Sequence, residues 1–168
     1  MTEKKKLVTK AKNKQATVVE VAPVAQTLKV KLLTETAKLP TRGSKLAGGL
    51  DIYADTKHPR MITEGKLTTI PTGIAMQIPE GYVGLVQPRS GFAFSRGVDH
   101  LAGVIDADYT GEIKLLLTSH AKNAVHRVTP GQRIAQIVIV PCLTFEAEAV
   151  DELLETERGE DGFGSTGS

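Results

Sequence analysis

The sequence has no tryptophan and a single cysteine, and its aromatics amount to four Phe and three Tyr among 168 residues. A core without large rings must be assembled from Val, Ile, Leu and Ala. One cysteine, Cys142, excludes both an intramolecular disulfide framework and a cysteine-cluster zinc site. No run approaches the roughly 18 apolar residues that a membrane span needs. Behind the charged start Met1-Thr2-Glu3-Lys4-Lys5-Lys6 there is no apolar stretch of the kind a secretory signal requires. A soluble intracellular protein, cytoplasmic or nuclear, is expected. What is present points the same way: 40% hydrophobic and 24% charged residues with a net charge of +2 exclude disorder of the whole chain. The length suits one domain and is too short for a doubly wound enzyme with a second substrate domain.

Charge is concentrated at the two ends. Residues 1–14 hold six Lys and one Glu, a net +5 that leaves −3 for the other 154 residues, while Glu146 to Asp161 carries eight acids against Arg158. Lysines interleaved with Thr, Ala, Asn and Gln, without aromatics, read as a solvated, disordered arm over 1–26. Nuclear import or loose polyanion binding is the other use such an arm has. Specific nucleic-acid binding is not expected, because basic charge there normally spreads over a folded face.

Periodicity of two dominates from Thr27 to Val150, which predicts a β-rich core. Leu28, Val30 and Leu32 alternate with Lys29, Lys31 and Leu33, and Ile74, Met76 and Ile78 with Ala75, Gln77 and Pro79. Leu143, Phe145, Ala147 and Ala149 alternate with Thr144, Glu146, Glu148 and Val150, so a further strand is expected there. Less regular runs span 82–87, 112–117 and 133–140. Turn formers separate them at Pro71-Thr72-Gly73, Pro79-Glu80-Gly81, Arg96-Gly97 and Thr129-Pro130-Gly131. Short strands at this spacing predict an all-β sandwich or barrel. A helical turn or two can follow Arg89, and Val150–Glu157 suits either a short helix or an extended arm. Residues 151–168 form a C-terminal arm ending in a glycine-rich stretch.

Three constellations can carry chemistry. In Ile105-Asp106-Ala107-Asp108-Tyr109, the two carboxylates would lie about 6.5 Å apart on one strand face and could pair or hold a hard cation, or they could cap backbone N–H groups in a turn. Gln87-Pro88-Arg89-Ser90-Gly91 combines a stiff backbone, a guanidinium fork, a hydroxyl and a position open to close approach, the ingredients of a phosphate-binding turn. In the terminal Gly-rich stretch, exposed N–H groups beside Arg158, Ser165 and Thr166 can form an anion nest, and Phe163 can lie over a flat ring. The alternative is a frayed end. His58, His100, His120 and His126 lack ligand-like spacing and read as surface or hydrogen-bonded residues. Cys142 reads as a small core residue, and Gly48-Gly49 as either a close approach or a bend.

In order, the chain holds Ala47-Gly48-Gly49-Leu50-Asp51-Ile52-Tyr53-Ala54, Pro88-Arg89-Ser90-Gly91-Phe92-Ala93, Gly103-Val104-Ile105-Asp106-Ala107-Asp108-Tyr109-Thr110-Gly111-Glu112, Gly131-Gln132-Arg133-Ile134-Ala135-Gln136-Ile137-Val138 and Arg158 to Gly167. This set resembles the five-motif pattern of the trimeric dUTP diphosphatase (dUTPase) family over about residues 27–168. The resemblance implies a jelly-roll-like fold in a homotrimer, each active site built from all three chains, with the C-terminal arm closing over a neighbour as a lid. It implies hydrolysis of dUTP to dUMP and pyrophosphate with Mg²⁺ on the triphosphate, which keeps uracil out of DNA and supplies dUMP for dTMP synthesis. Phosphoryl chemistry of this kind needs positioning and charge neutralisation more than a covalent nucleophile.

By the same resemblance, Asp106 would be the general base for the attacking water and Gln136 would help hold it. Arg89, Ser90 and Gly91 would bind the triphosphate, with Ser90 near the reacting phosphate. Tyr109 would pack beneath the deoxyribose, Gly103 and neighbouring backbone would read the uracil edge, and Phe163 would stack on the base. Arg158, Gly164, Ser165 and Thr166 would close on the substrate. Asp51 would stand near the Mg²⁺ water shell or support the phosphate site, with no direct protein ligand to the metal. Two departures stand out: Asp161 where glycine is usual before Gly-Phe-Gly, and Leu50 where an aromatic is commoner. A catalytically silent trimer serving as a regulatory module, and dCTP deaminase chemistry, are the competing expectations.

Overall fold

The computed structural model describes residues 27–159. The arm expected over 1–26, and Phe163, Gly164, Ser165, Thr166 and Asp161 of the last motif, lie outside the described residues. In chain order the elements are β1 (Lys29–Leu32), β2 (Leu50–Tyr53), β3 (Arg60–Thr63), β4 (Thr68–Pro71), β5 (Ile74–Gln77), β6 (Tyr82–Pro88), α1 (Ser90–Arg96), β7 (Val98–Leu101), β8 (Val104–Ile105), β9 (Lys114–Ser119), β10 (Val125–Val128) and β11 (Arg133–Pro141). Every strand pair is antiparallel. The strands form a four-stranded sheet in the order β2-β11-β6-β8, a three-stranded sheet β4-β9-β7, and the pairs β1-β5 and β3-β10. The fold is all-β, a sandwich of open sheets rather than a closed barrel.

All four sheets contribute to one core. Ile52, Ile62, Ile70, Ile74, Ile113, Leu117, Val128, Ile134 and Ile137 are each no more than 2% exposed, and Phe92 is the one aromatic among the buried residues. Each such aliphatic side chain contributes about 1.5–3 kcal/mol by leaving water. The predicted turns fall where expected. Gly73, Gly81, Gly97 and Gly131 all have φ between 60° and 78°, a region in which any other residue would be strained. Gly97 ends α1 by donating its N–H to the carbonyls of Ala93 and Phe92.

Three expectations need correcting. Residues 143–150 form no strand, and Leu143 and Phe145 are 79% and 83% exposed. Their alternation is real, but no strand among the described residues pairs with them. Of the two readings of 150–157, the helix does not form, and these residues are exposed throughout. Cys142 is exposed, not a core residue, because it lies where the chain leaves β11. Leu32 also stays 45% exposed; only Leu28 and Val30 of the β1 stripe pack against the core. Strands β3, β4, β7 and β10 do not alternate apolar with polar residues, unlike the equally short β1, and were not anticipated.

Candidate active site

The sheet β2-β11-β6 brings three of the five motifs side by side. Gln136 of β11 stands opposite Asp51 of β2 on one flank and Gln87 of β6 on the other. Arg89 follows β6 directly, in extended conformation (φ −74°, ψ 140°), and Ser90 opens α1. Asp51 is 8% exposed and its carboxylate is shared: Arg89 donates through Nε to Oδ1 at 2.9 Å, and Arg133 through Nη1 to Oδ2 at 3.1 Å. Two guanidiniums around one carboxylate leave a net positive charge, set against a nearly buried anion that holds both in place. Arg89 and Arg133 keep 31% and 48% of their side chains in solvent, so the Coulomb part of each pair is screened. The geometric part, a fixed guanidinium plane, is not.

Gln136 is held from two directions. Its Nε2 donates to the Pro88 carbonyl at 3.2 Å. A methyl group on Gly49 would come within 2.6 Å of its Oε1, so Gly49 is a close approach to a side chain of the same chain, whereas Gly48 has nothing within 4 Å. Leu50 packs against the core beside it, which is all its position asks.

The third motif folds elsewhere. Asp106 to Tyr109 form a turn, closed by the Tyr109 N–H donating to the Asp106 carbonyl at 3.2 Å. The segment is therefore a turn and not a strand. Tyr109 Oη donates to the Glu112 carbonyl at 2.8 Å, which Gly111 permits by having no side chain where the tyrosine ring passes. Asp106, Tyr109, Ala102, Val104, Ile105 and Lys114 are among the residues lining a cavity of about 260 Å³. Gly103 extends the β6–β8 ladder by one rung, its carbonyl accepting from Val86 N at 2.8 Å.

These two groups are apart within one chain. Gln136 is level with Gln87 on β6, whereas Ile105 pairs with Gly84, which puts Asp106 level with Val83. Four residues along a strand is about 13 Å. Arg89, Ser90, Gly91, Gln136 and Asp51 thus cluster at one end of β6, and Asp106 and Tyr109 at the other. Arg158 is exposed in the C-terminal segment. Arg133 was not anticipated as a site residue, although a lone cation three positions before Gln136 in an apolar strand is its signal. Lys114, which lines the same cavity as Asp106, has its Nζ 3.5 Å from Glu112 Oε2. Two histidines depart from the expected pattern: Nδ1 of His100 and Nε2 of His126 are buried with no hydrogen-bond partner among the described residues.

Among the described residues, no group of three or more His, Cys, Asp or Glu is placed to hold a metal ion, and both Asp51 oxygens are engaged by guanidiniums. No helix among them is long and apolar enough to cross a membrane.

Comparison with known proteins agrees with the motifs. A family profile described as dUTPase matches residues 35–167. The deoxyuridine 5'-triphosphate nucleotidohydrolase of Syntrophotalea carbinolica is 46% identical over 143 residues, covering 84% of this chain and 97% of its own length. A structure of the dUTPase of Staphylococcus bacteriophage 80alpha, a point variant with dUpNHpp, is similar with a TM-score of 0.75 and 32% identity, over 84% of this chain and 99% of that one. A dUTPase of phage phi11 of S. aureus, described as revealing the coordination of a structural Mg(II) ion, matches with a TM-score of 0.68 and 30% identity over 77% and 100% of the two chains. The chain belongs to the dUTPase family.

Proposed function

We propose that this protein hydrolyses dUTP to dUMP and pyrophosphate, in a homotrimer whose sites combine residues of different chains. The observation that carries the shared site is the separation within one chain. The Arg89–Asp51–Arg133–Gln136 cluster and the Asp106–Tyr109 turn lie about 13 Å apart along β6. A general base must come within hydrogen-bond reach of the water it activates, so Asp106 of one chain would meet Gln136 and Arg89 of another.

In that site, a water held by Gln136 gives its proton to the Asp106 carboxylate as its oxygen attacks the α-phosphorus. The bond from that phosphorus to the bridging oxygen breaks, and pyrophosphate leaves with the electron pair. Arg89, kept in plane by Asp51, and the Ser90-Gly91 backbone hold the phosphates in line, which is most of what phosphoryl transfer asks of a protein. Asp51 acts here as support for the phosphate site. Mg²⁺ would arrive bound to the triphosphate and supply charge neutralisation. Tyr109 packs beneath the deoxyribose, Gly103 and its neighbours read the uracil edge, and residues 151–168 form the arm that brings Arg158, Phe163, Gly164, Ser165 and Thr166 over the substrate.

The test is incubation of the purified protein with dUTP, UTP, dCTP or dTTP in Mg²⁺ buffer, with release of pyrophosphate measured. Release from dUTP alone is expected. No release from dUTP would refute the activity, and equal release from UTP would remove the role given to Tyr109.

A further inference from the structure

The segment that passes from β7 in one sheet to β8 in another holds a histidine for which the reaction above has no use. His100 lies in β7 opposite Leu117 of β9, with only 14% of its side chain exposed. Three residues on, Gly103 has no side chain, and the imidazole fills the place where one would be. A Cβ on Gly103 would come within 2.5 Å of His100 Nε2 and 3.1 Å of Cδ2, with the Val86 carbonyl 3.0 Å away on the other side. Between them, Ala102 is held at φ 58°, a conformation costing a non-glycine residue about 1–2 kcal/mol. A strained residue persists only where its surroundings over-determine it.

At its other end the ring faces the Asp99 carboxylate. Asp99 Oδ1 accepts the His100 backbone N–H at 2.8 Å and lies 3.5 Å from Nδ1, an atom that is buried and has no hydrogen-bond partner among the described residues. The second Asp99 oxygen lies 3.8 Å from His120 Nε2. Leu101, beside His100, lines a cavity with Asp99, His120 and Glu64, while the next residue, Ala102, lines the cavity of Asp106 and Tyr109. The imidazole therefore presses against the backbone that borders the candidate nucleotide pocket.

We infer that His100 is a positioning residue for base recognition: it sets the height of the Gly103 backbone and so the fit of the β7–β8 connection to the uracil edge. This rests on the reading of Gly103 given above. Base discrimination by backbone groups depends on their being held where the wrong base leaves them unpaired, and a brace that can yield makes that discrimination weaker.

The distinguishing variants are His100→Asn and His100→Gln. Asparagine keeps a polar atom near Asp99 but cannot reach Gly103, whereas glutamine reaches it. With His100→Asn, KM for dUTP should rise about fivefold or more, kcat should stay within about twofold, and the preference for dUTP over dCTP should fall about tenfold. His100→Gln should recover most of both. Gly103→Ala should impair dUTP binding, and adding His100→Asn should relieve part of that defect, a non-additivity expected only of residues in contact. Wild-type KM and base preference in His100→Asn, or equal losses in both His100 variants, would overturn the inference while leaving dUTP hydrolysis intact. An unsubstituted protein that does not cleave dUTP would overturn both readings.

Discussion

Asp51 takes its importance from what it touches. A carboxylate 8% exposed, bridging Arg89 and Arg133, turns two flexible cations into a fixed pair. Gly49 acts on Gln136 in the same indirect way. A methyl there would have to push Oε1 from its 2.6 Å approach, and a displacement of about 1 Å in a positioning group can cost about 10²-fold in rate. Gly49→Ala should therefore lower kcat/KM for dUTP by about that factor while the thermal transition stays nearly where it is; unchanged kinetics would free Gln136 from its assigned part. Asp106→Asn should lower kcat at least about 10²-fold with dUTP still bound. Undiminished turnover, measured alongside nucleotide binding by calorimetry, would require another base.

Among the elements, the turns are more sharply specified than the strands. Gly73 combines φ 65° with the Asp55 carboxylate and the Ala37 methyl packed where a Cβ would go. That carboxylate is itself fixed, accepting from Thr34 and Thr36 Oγ1 at 2.5 Å. Gly73→Ala should cost about 1–3 kcal/mol, from strain and crowding together, seen as a lower midpoint in urea unfolding; an unshifted midpoint would mean that the turn relaxes without cost. The segment after β11 is the opposite case. Leu143, Phe145, Leu153 and Leu154 are 79–94% exposed and make no strand, so the fold of a single chain does not depend on them. Deleting residues 158–168 should leave the melting transition in place and abolish most dUTP hydrolysis, and a fully active truncation would refute the lid.

At the scale of the whole molecule, an alternating apolar stripe left in solvent and two half-sites at opposite ends of β6 are one fact seen twice. On the proposed function, both would be completed by another copy of the chain. Head-to-tail contact around a closed ring would give each site one arginine cluster and one Asp106 turn from different subunits. Mixing inactive Asp106→Asn and Arg89→Ala chains and allowing subunits to exchange should then restore about a quarter of wild-type activity, since half the chains are intact at each position. No recovery in exchanged mixtures, checked by mass analysis of the assemblies, would place the whole site within one chain.

The turn glycines, the β1 and β5 alternation and the five motifs were legible in the chain itself, because each expresses a local constraint: a φ angle, a two-residue period, a run of groups contiguous in sequence. The same local logic misread 143–150 as a paired strand and Cys142 as buried, since alternation records a preference for burial and not the surface that supplies it. The helix after Arg89 was visible; strands β3, β4, β7 and β10 do not alternate apolar with polar residues and so gave no two-residue period. Only tertiary structure could reveal that Arg133 shares Asp51 with Arg89, 82 and 38 residues distant from it in sequence, that His100 fills the place of a missing Gly103 side chain, and that the third motif lies away from the first, second and fourth. Those relations arise from sheet register and packing, which bring together residues that no local pattern connects.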